Sequence, residues 1–227
     1  MASDSSAPDL SSRVVVVTGA AGRLGRVVAR HLEDAGAVVA GVDRATHDVG
    51  AVSVEADVTN PDSTSRAFSE IVDAVGELSA VVHTVGMWGG APFAQTALED
   101  WRTVLEVNLT STFVVFQAAV RRMLGSDGGR LVALASGQGA DRGVAEQAAY
   151  SASKAGVIRL VEAVAAEYRG QDVTAAAVAP SMILFGDEPE NTEGVAVDEV
   201  ARLCVTLCGP AGAVHSGSVL RAYGSMR

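Results

Sequence analysis

The feature that most constrains this chain is a rhythm. Short β-branched or apolar runs alternate with longer stretches of helical periodicity along nearly the whole sequence. Residues 13–18 form a β-branched run, followed by a Gly-rich turn and an apolar-periodic helix through about residue 35. Further strands are predicted at 37–42, 52–55, 79–83, 129–135, 173–179 and 218–223. Between them, a helix starts at Asn60-Pro61-Asp62, two consecutive helical segments fill 99–123, and helices cover about 148–169 and 197–208. Strand, helix, strand in this order implies right-handed crossovers and a parallel sheet covered on both faces. The expectation is a single doubly wound α/β domain of about seven strands.

Composition narrows what such a domain does. The 227 residues suit one domain with a sizeable core, and no repeat or composition break suggests two. A net charge of −10 argues against nucleic acid and against anionic membrane surfaces, which need clustered Lys and Arg. No apolar run is expected to approach the length of a membrane span. Residues 1–12 are polar, lack the order of a signal peptide, and read as a disordered lead-in to a domain over 13–227. Cys204 and Cys208, the only cysteines, fit the buried face of a helix as small apolar groups, and a reducing cytoplasm is the expected setting.

The chemistry lies at the turns. Tyr150 and Lys154, four residues apart on the 148–169 helix, share a face. A tyrosine ionises near pH ~10, and a neighbouring positive charge favours its phenolate, so the pair can move a proton near neutral pH. Thr18-Gly19-Ala20-Ala21-Gly22-Arg23-Leu24-Gly25 lies between a strand and a helix. There glycines permit a tight turn, close approach to a pyrophosphate, and unpaired helix N–H groups aimed at phosphates. Asp43 ends the second strand, where a carboxylate can accept from ribose hydroxyls or act as a turn cap. Asp57-Val58 closes the third strand and could reach an adenine amino group or, again, serve as a cap.

Taken together these residues resemble the short-chain dehydrogenase/reductase family, from Arg13 to Gly224. The family's Thr-Gly-x-x-x-Gly-x-Gly turn maps to Thr18–Gly25, its third-strand Asp to Asp57, its helix Asn to Asn108, its active-site Ser to Ser136, and its Tyr-x-x-x-Lys pair to Tyr150 and Lys154. The resemblance implies a Rossmann fold and an NAD(P)-dependent oxidoreductase that interconverts a carbonyl and a secondary alcohol. Tyr150 would exchange the proton, Lys154 would hold the nicotinamide ribose, Ser136 would orient the substrate oxygen, and Asn108 would hold a relay water. The implied coenzyme contacts are Gly19, Gly22, Arg23, Leu24, Gly25, Asp43, Arg44, Asp57, Val58, Gly86, Pro180 and Ile183, together with Tyr150 and Lys154. No metal ligand is assigned.

Departures from the family pattern matter as much. Arg23 stands at the middle glycine position, and its guanidinium could pair with a coenzyme phosphate. Asp43 favours NAD; Arg23 and Arg44 keep NADP open. The family's Asn-Asn-Ala-Gly reads His83-Thr84-Val85-Gly86, which removes a strand-bracing amide and places a structural histidine at a strand end. The turn after strand six reads Pro180-Ser181-Met182-Ile183-Leu184-Phe185, with Phe185 replacing a hydroxyl, and a shorter substrate-covering segment follows. Met87, Trp88, Met182 and Phe185 are the apolar candidates around the substrate. A dinucleotide-binding protein with little catalysis is the alternative. Family likeness also implies a homodimer or homotetramer through the 109–123 and 148–169 helices, with small residues at Ser151, Ala152, Ser153, Ala155 and Gly156 allowing close contact.

Overall fold

The computed structural model describes residues 8–126 and 128–224. Seven parallel strands form one sheet in the order β3-β2-β1-β4-β5-β6-β9. They are β1 (Val14–Thr18), β2 (Val38–Asp43), β3 (Val52–Glu55), β4 (Leu78–His83), β5 (Gly129–Leu134), β6 (Val173–Pro180) and β9 (Val219–Ala222). A second sheet pairs β7 (Ile183–Leu184) with β8 (Val195–Ala196), also in parallel. The doubly wound architecture expected from the rhythm is present.

The strand sequences explain the layering. All five residues of β1 are buried, as a strand covered on both faces requires. Val14 and Val16 enter one core, Val15 and Val17 the other, which follows from the two-residue side-chain period. Helices α1 (Arg23–Asp34) and α7 (Val197–Cys208) cover one face. On the other face lie α2 (Pro61–Val75), α4 (Ser111–Met123) and α6 (Ala148–Glu167). Asn60 caps α2 through its side chain, accepting from Ser63 N–H at 2.9 Å, with Pro61 in the first helical position. Cys204 and Cys208 are buried in α7 as free thiols.

Four expectations need adjustment. Residues 1–7 of the lead-in lie outside the described residues, but order begins before Arg13. Leu10 is completely buried and its N–H bonds the Ala35 carbonyl at 2.8 Å. The 99–123 stretch is two helices, α3 (Leu98–Leu105) and α4, but a π turn at Glu106–Thr110 joins them without a break. That continuous run, Leu98–Met123, is long and apolar enough to cross a membrane by length and composition, contrary to the composition-based reading. Half of its apolar window is buried against this domain, as in a core helix. The β7–β8 pair and the short helix α5 (Gly137–Ala140) are too brief to leave a periodic signal.

Because β1 pairs with β2 on one side and β4 on the other, the connections diverge at its C-terminal end. Thr18, Asp43, His83, Leu134 and Pro180 all end strands on that edge. A crevice at such a switch point is where open α/β sheets hold ligands.

Candidate active site

A cleft of about 830 Å³ opens on this edge, lined by residues from six separate stretches of chain that include Leu24, Gly86, Ser136, Tyr150, Lys154, Pro180 and Ile183. At its floor, the Lys154 ammonium donates to the Leu134 carbonyl at 2.7 Å. Lys154 is only 5% exposed. Burial pulls its pKa down from the ordinary lysine value to about 8. It is also the only lysine in the chain. Tyr150, one helical turn earlier on α6, lines the same cleft, partly exposed. Ser136 is buried just past β5, and its Oγ accepts from Gln138 N–H at 3.3 Å as it caps α5.

Asn108 lies in the π turn, fully buried. Its Oδ1 accepts from Met87 N–H at 2.7 Å, and its Nδ2 donates to Met87 C=O at 3.0 Å and to Ser153 Oγ at 2.9 Å. The amide therefore clamps the loop after β4 to α6, next to Lys154. Both Nδ2 protons are spent on protein partners, and Oδ1 keeps one lone pair. Gly86 keeps open the space beside this clamp. A Cβ there would lie 3.2 Å from Lys154 Nζ and 3.3 Å from Asn108 Oδ1.

The phosphate turn has the shape its glycines imply. Gly19 adopts φ +78°, and a Cβ at Gly25 would run into the Gly19 carbonyl. Gly22 is the N-cap of α1, and Leu24 enters the cleft. Asp43 Oδ2 accepts from Ala21 N–H at 3.1 Å and Oδ1 from Ala45 N–H at 3.0 Å. Its carboxylate is thereby fixed beside the turn with lone pairs to spare. Arg44 follows it, exposed. Asp57 caps its own turn, accepting from Thr59 N–H and hydroxyl at 2.9 and 2.8 Å; Val58 behind it is core. Pro180 ends β6. In the β7–β8 ladder Val195 N–H bonds Met182 C=O, a register that leaves the main chain of Ile183 free to face the cleft.

Three expectations change here. Arg23 pairs with Asp187 at 2.7 Å and stacks on Phe185 with its guanidinium carbon 4.0 Å from the ring centroid. It thus ties the phosphate turn to the segment after β7, and Phe185 belongs to this contact, whereas Met87, Trp88 and Met182 line the cleft. The bracing thought lost with the family's Asn is supplied by Thr84, whose hydroxyl donates to Thr18 C=O at 2.8 Å. Of the small residues on α6, Ser153 bonds Asn108 and Gly156 packs under Leu109, so both serve contacts within the chain.

One cluster carried no sequence signal. Asp141 pairs with Arg221 Nε at 2.7 Å and bonds the Tyr223 hydroxyl, joining the end of β9 to the loop after α5 at the cleft wall. These partners lie about eighty residues apart in sequence, beyond the reach of any local pattern.

The family model described as short chain dehydrogenase matches residues 13–192. D-threitol dehydrogenase of Mycolicibacterium smegmatis is 29% identical, covering 93% of this chain and 91% of the relative. The 3-oxoacyl-[acyl-carrier-protein] reductase FabG of Aquifex aeolicus is 30% identical over 96% of this chain and 98% of its own. A crystal structure of a short chain dehydrogenase from Mycobacterium smegmatis superposes with a TM-score of 0.85 at 31% identity, covering 96% of this chain and 94% of that one.

The buried lysine makes a thermodynamic prediction. Its pKa is lower folded than unfolded, so between about pH 8 and the free-lysine value the unfolded chain binds more protons, and stability rises with pH. Buried Cys204, pushed up to about 12, acts in the opposite direction at the alkaline end. The difference between wild type and Lys154→Met therefore isolates the lysine. In urea titrations from pH 7 to 10.5 the wild type should gain on the order of 3 kcal/mol relative to the variant. A pH-independent difference would contradict the burial.

Proposed function

Because the chain belongs to the short-chain dehydrogenase family and is a nicotinamide-dinucleotide oxidoreductase, we propose that it interconverts a carbonyl and a secondary alcohol with Tyr150 as the acid/base. The observation that carries this reading is the Lys154 ammonium, buried on the Leu134 carbonyl one helical turn from Tyr150 at the floor of the cleft. The residues present fit a dinucleotide: Gly19 and Gly25 make a turn that admits no Cβ at Gly25, and Gly86 leaves space beside Lys154. When bound, the coenzyme supplies or accepts the hydride.

The protein's part is position and protons. Ser136 and Tyr150, which both line the cleft, would hold the substrate oxygen, with Tyr150 giving its proton to a carbonyl or taking one from an alcohol. Lys154 would hold ribose hydroxyls and keep positive charge beside the phenol. Asn108 would fix the loop that carries Gly86 and Met87 against α6. Gly19, Gly22, Leu24, Gly25, Pro180 and Ile183 would line the coenzyme path, with Asp57 and Val58 at its adenine end. Asp43, oriented by Ala21 and Ala45, favours NAD, since its carboxylate would repel a 2′-phosphate. Arg23 and Arg44 are the residues through which NADP would bind. The substrate is a small molecule, and a cytoplasmic setting fits the two buried free thiols.

One observation favours the second reading, a dinucleotide-binding protein with little catalysis. Arg23, the cation within the glycine-rich turn, is already held by Asp187. Coenzyme would have to draw it away or bind without it. The same assay separates the readings. NADH and NADPH binding by fluorescence should show the tighter site for NADH. Turnover on a panel of ketones and secondary alcohols should fall at least ~100-fold in Tyr150→Phe, with coenzyme affinity nearly unchanged. Coenzyme binding with no Tyr150-dependent turnover would favour the second reading.

An assembly through the outer faces of α4 and α6 is part of the proposal. Phe113 and Leu124 are 48% and 40% exposed there, beside Leu160 and Val164 in one apolar groove. Sedimentation velocity should show a dimer or tetramer that Phe113→Glu dissociates; a wild-type monomer at micromolar concentration would contradict it.

A further inference from the structure

His83 is buried to 1% exposure at the end of β4. Its Nδ1 lies 2.7 Å from Thr18 Oγ1, and its Nε2 lies 3.0 Å from Ser111 Oγ. The roles in this chain are determined. Ser111 Oγ spends its single proton on the Val107 carbonyl at 2.6 Å, so it must accept from His83 Nε2–H. In the neutral ring Nδ1 is then the acceptor, and Thr18 donates to it. Burial, with the nearby Lys154 charge, drives the His83 pKa down to about 3, so the ring carries one proton at working pH.

Each end of this link belongs to a different half of the site. Thr18 begins the phosphate turn, and its carbonyl also receives the N–H and hydroxyl of Thr84. Val107 lies within the π turn that carries Asn108, and Ser111 directly follows it. Asn108 in turn grips Met87 and Ser153, the residue before Lys154. A ring with one donor and one acceptor joins these two polar sites through the protein interior; an apolar side chain there would leave the Thr18 hydroxyl without its acceptor and would break the tie to Ser111, whose hydroxyl keeps only Val107.

We propose that His83 is a positioning residue whose neutral imidazole ties the coenzyme turn at Thr18 to the π turn that places Asn108. It touches neither substrate nor coenzyme and acts through Thr18 and Ser111. This rests on the oxidoreductase reading above.

Two variants separate the halves of the link. In His83→Asn the amide oxygen can replace Nδ1 toward Thr18, but nothing reaches Ser111. In His83→Gln the longer amide can reach Ser111 but places no acceptor at Thr18. For His83→Asn, kcat should fall about 10- to 100-fold with coenzyme Kd close to wild type. For His83→Gln, coenzyme Kd should rise roughly 2- to 10-fold, with the smaller loss in kcat. Folded variants whose kcat and Kd match wild type, or which lose both constants in the same proportion, would overturn the proposal. Should neither variant fold, Ser111→Ala carries the test, with a loss in kcat and an unchanged Kd expected and no loss in kcat overturning it. Nitrogen-15 histidine spectra of wild type provide a signature independent of activity. They should show one imidazole protonated at Nε2 alone and unchanged from pH 5 to 9; a ring that titrates in this range or carries its proton on Nδ1 would overturn the link. A wild type that binds neither NADH nor NADPH would instead overturn the oxidoreductase reading, and this proposal with it.

Discussion

The site depends on a lysine kept out of water. Lys154 sits on the inner face of α6 with one protein partner among the described residues, the Leu134 carbonyl at the end of β5. An ammonium with three donors and one acceptor is costly to bury, and the cost appears as the lowered pKa. Its surroundings hold it there. Gly86 leaves it room, Gly139 lets α5 close over its main chain, and Ser153, its neighbour in sequence, is bonded to Asn108. A group held this way stands to gain from hydroxyl acceptors brought to the cleft, a condition a coenzyme ribose would satisfy.

Around this floor, the departures from the family pattern conserve hydrogen bonds by other means. Thr84 braces the end of β1 with a hydroxyl, and His83 spans from Thr18 to Ser111 with a ring. Arg23 loses the small profile of a glycine but gains a contact with Phe185 and Asp187 that fastens the segment after β7 to the glycine-rich turn. Glu188 steadies the same segment by accepting from the N–H groups of Phe185 and Gly186. An exposed ion pair such as Arg23–Asp187 is worth ~0–1 kcal/mol, so it can order the segment without locking it.

Much of this was legible in the sequence because local rules governed it. The all-buried valines of β1, the Asn60 cap of α2 and the glycines of the phosphate turn each sit where their own covalent geometry favours them. Tyr150 and Lys154 share a face by helical periodicity alone. What escaped depends on distant partners. Nothing near Leu10 says that it docks under Ala35, and nothing near Asp141 points to Arg221 and Tyr223. The sequence suggests only a coenzyme phosphate for the Arg23 side chain; Asp187, its partner in the fold, lies 164 residues away. Asn108 was recognised by motif, but its clamp on Met87 needs the π turn, which has no periodic signature.

The account turns on the state of one ammonium, and the chain offers an unusually clean view of it because it contains a single lysine. Selective carbon-13 and nitrogen-15 labelling of lysine gives one side-chain signal to follow with pH, with and without NADH. Titration near 8 is expected in the free protein, with a move to higher pH when coenzyme is added, as ribose hydroxyls accept from Nζ. A signal that titrates at the ordinary value of about 10.4 and ignores the coenzyme would contradict it.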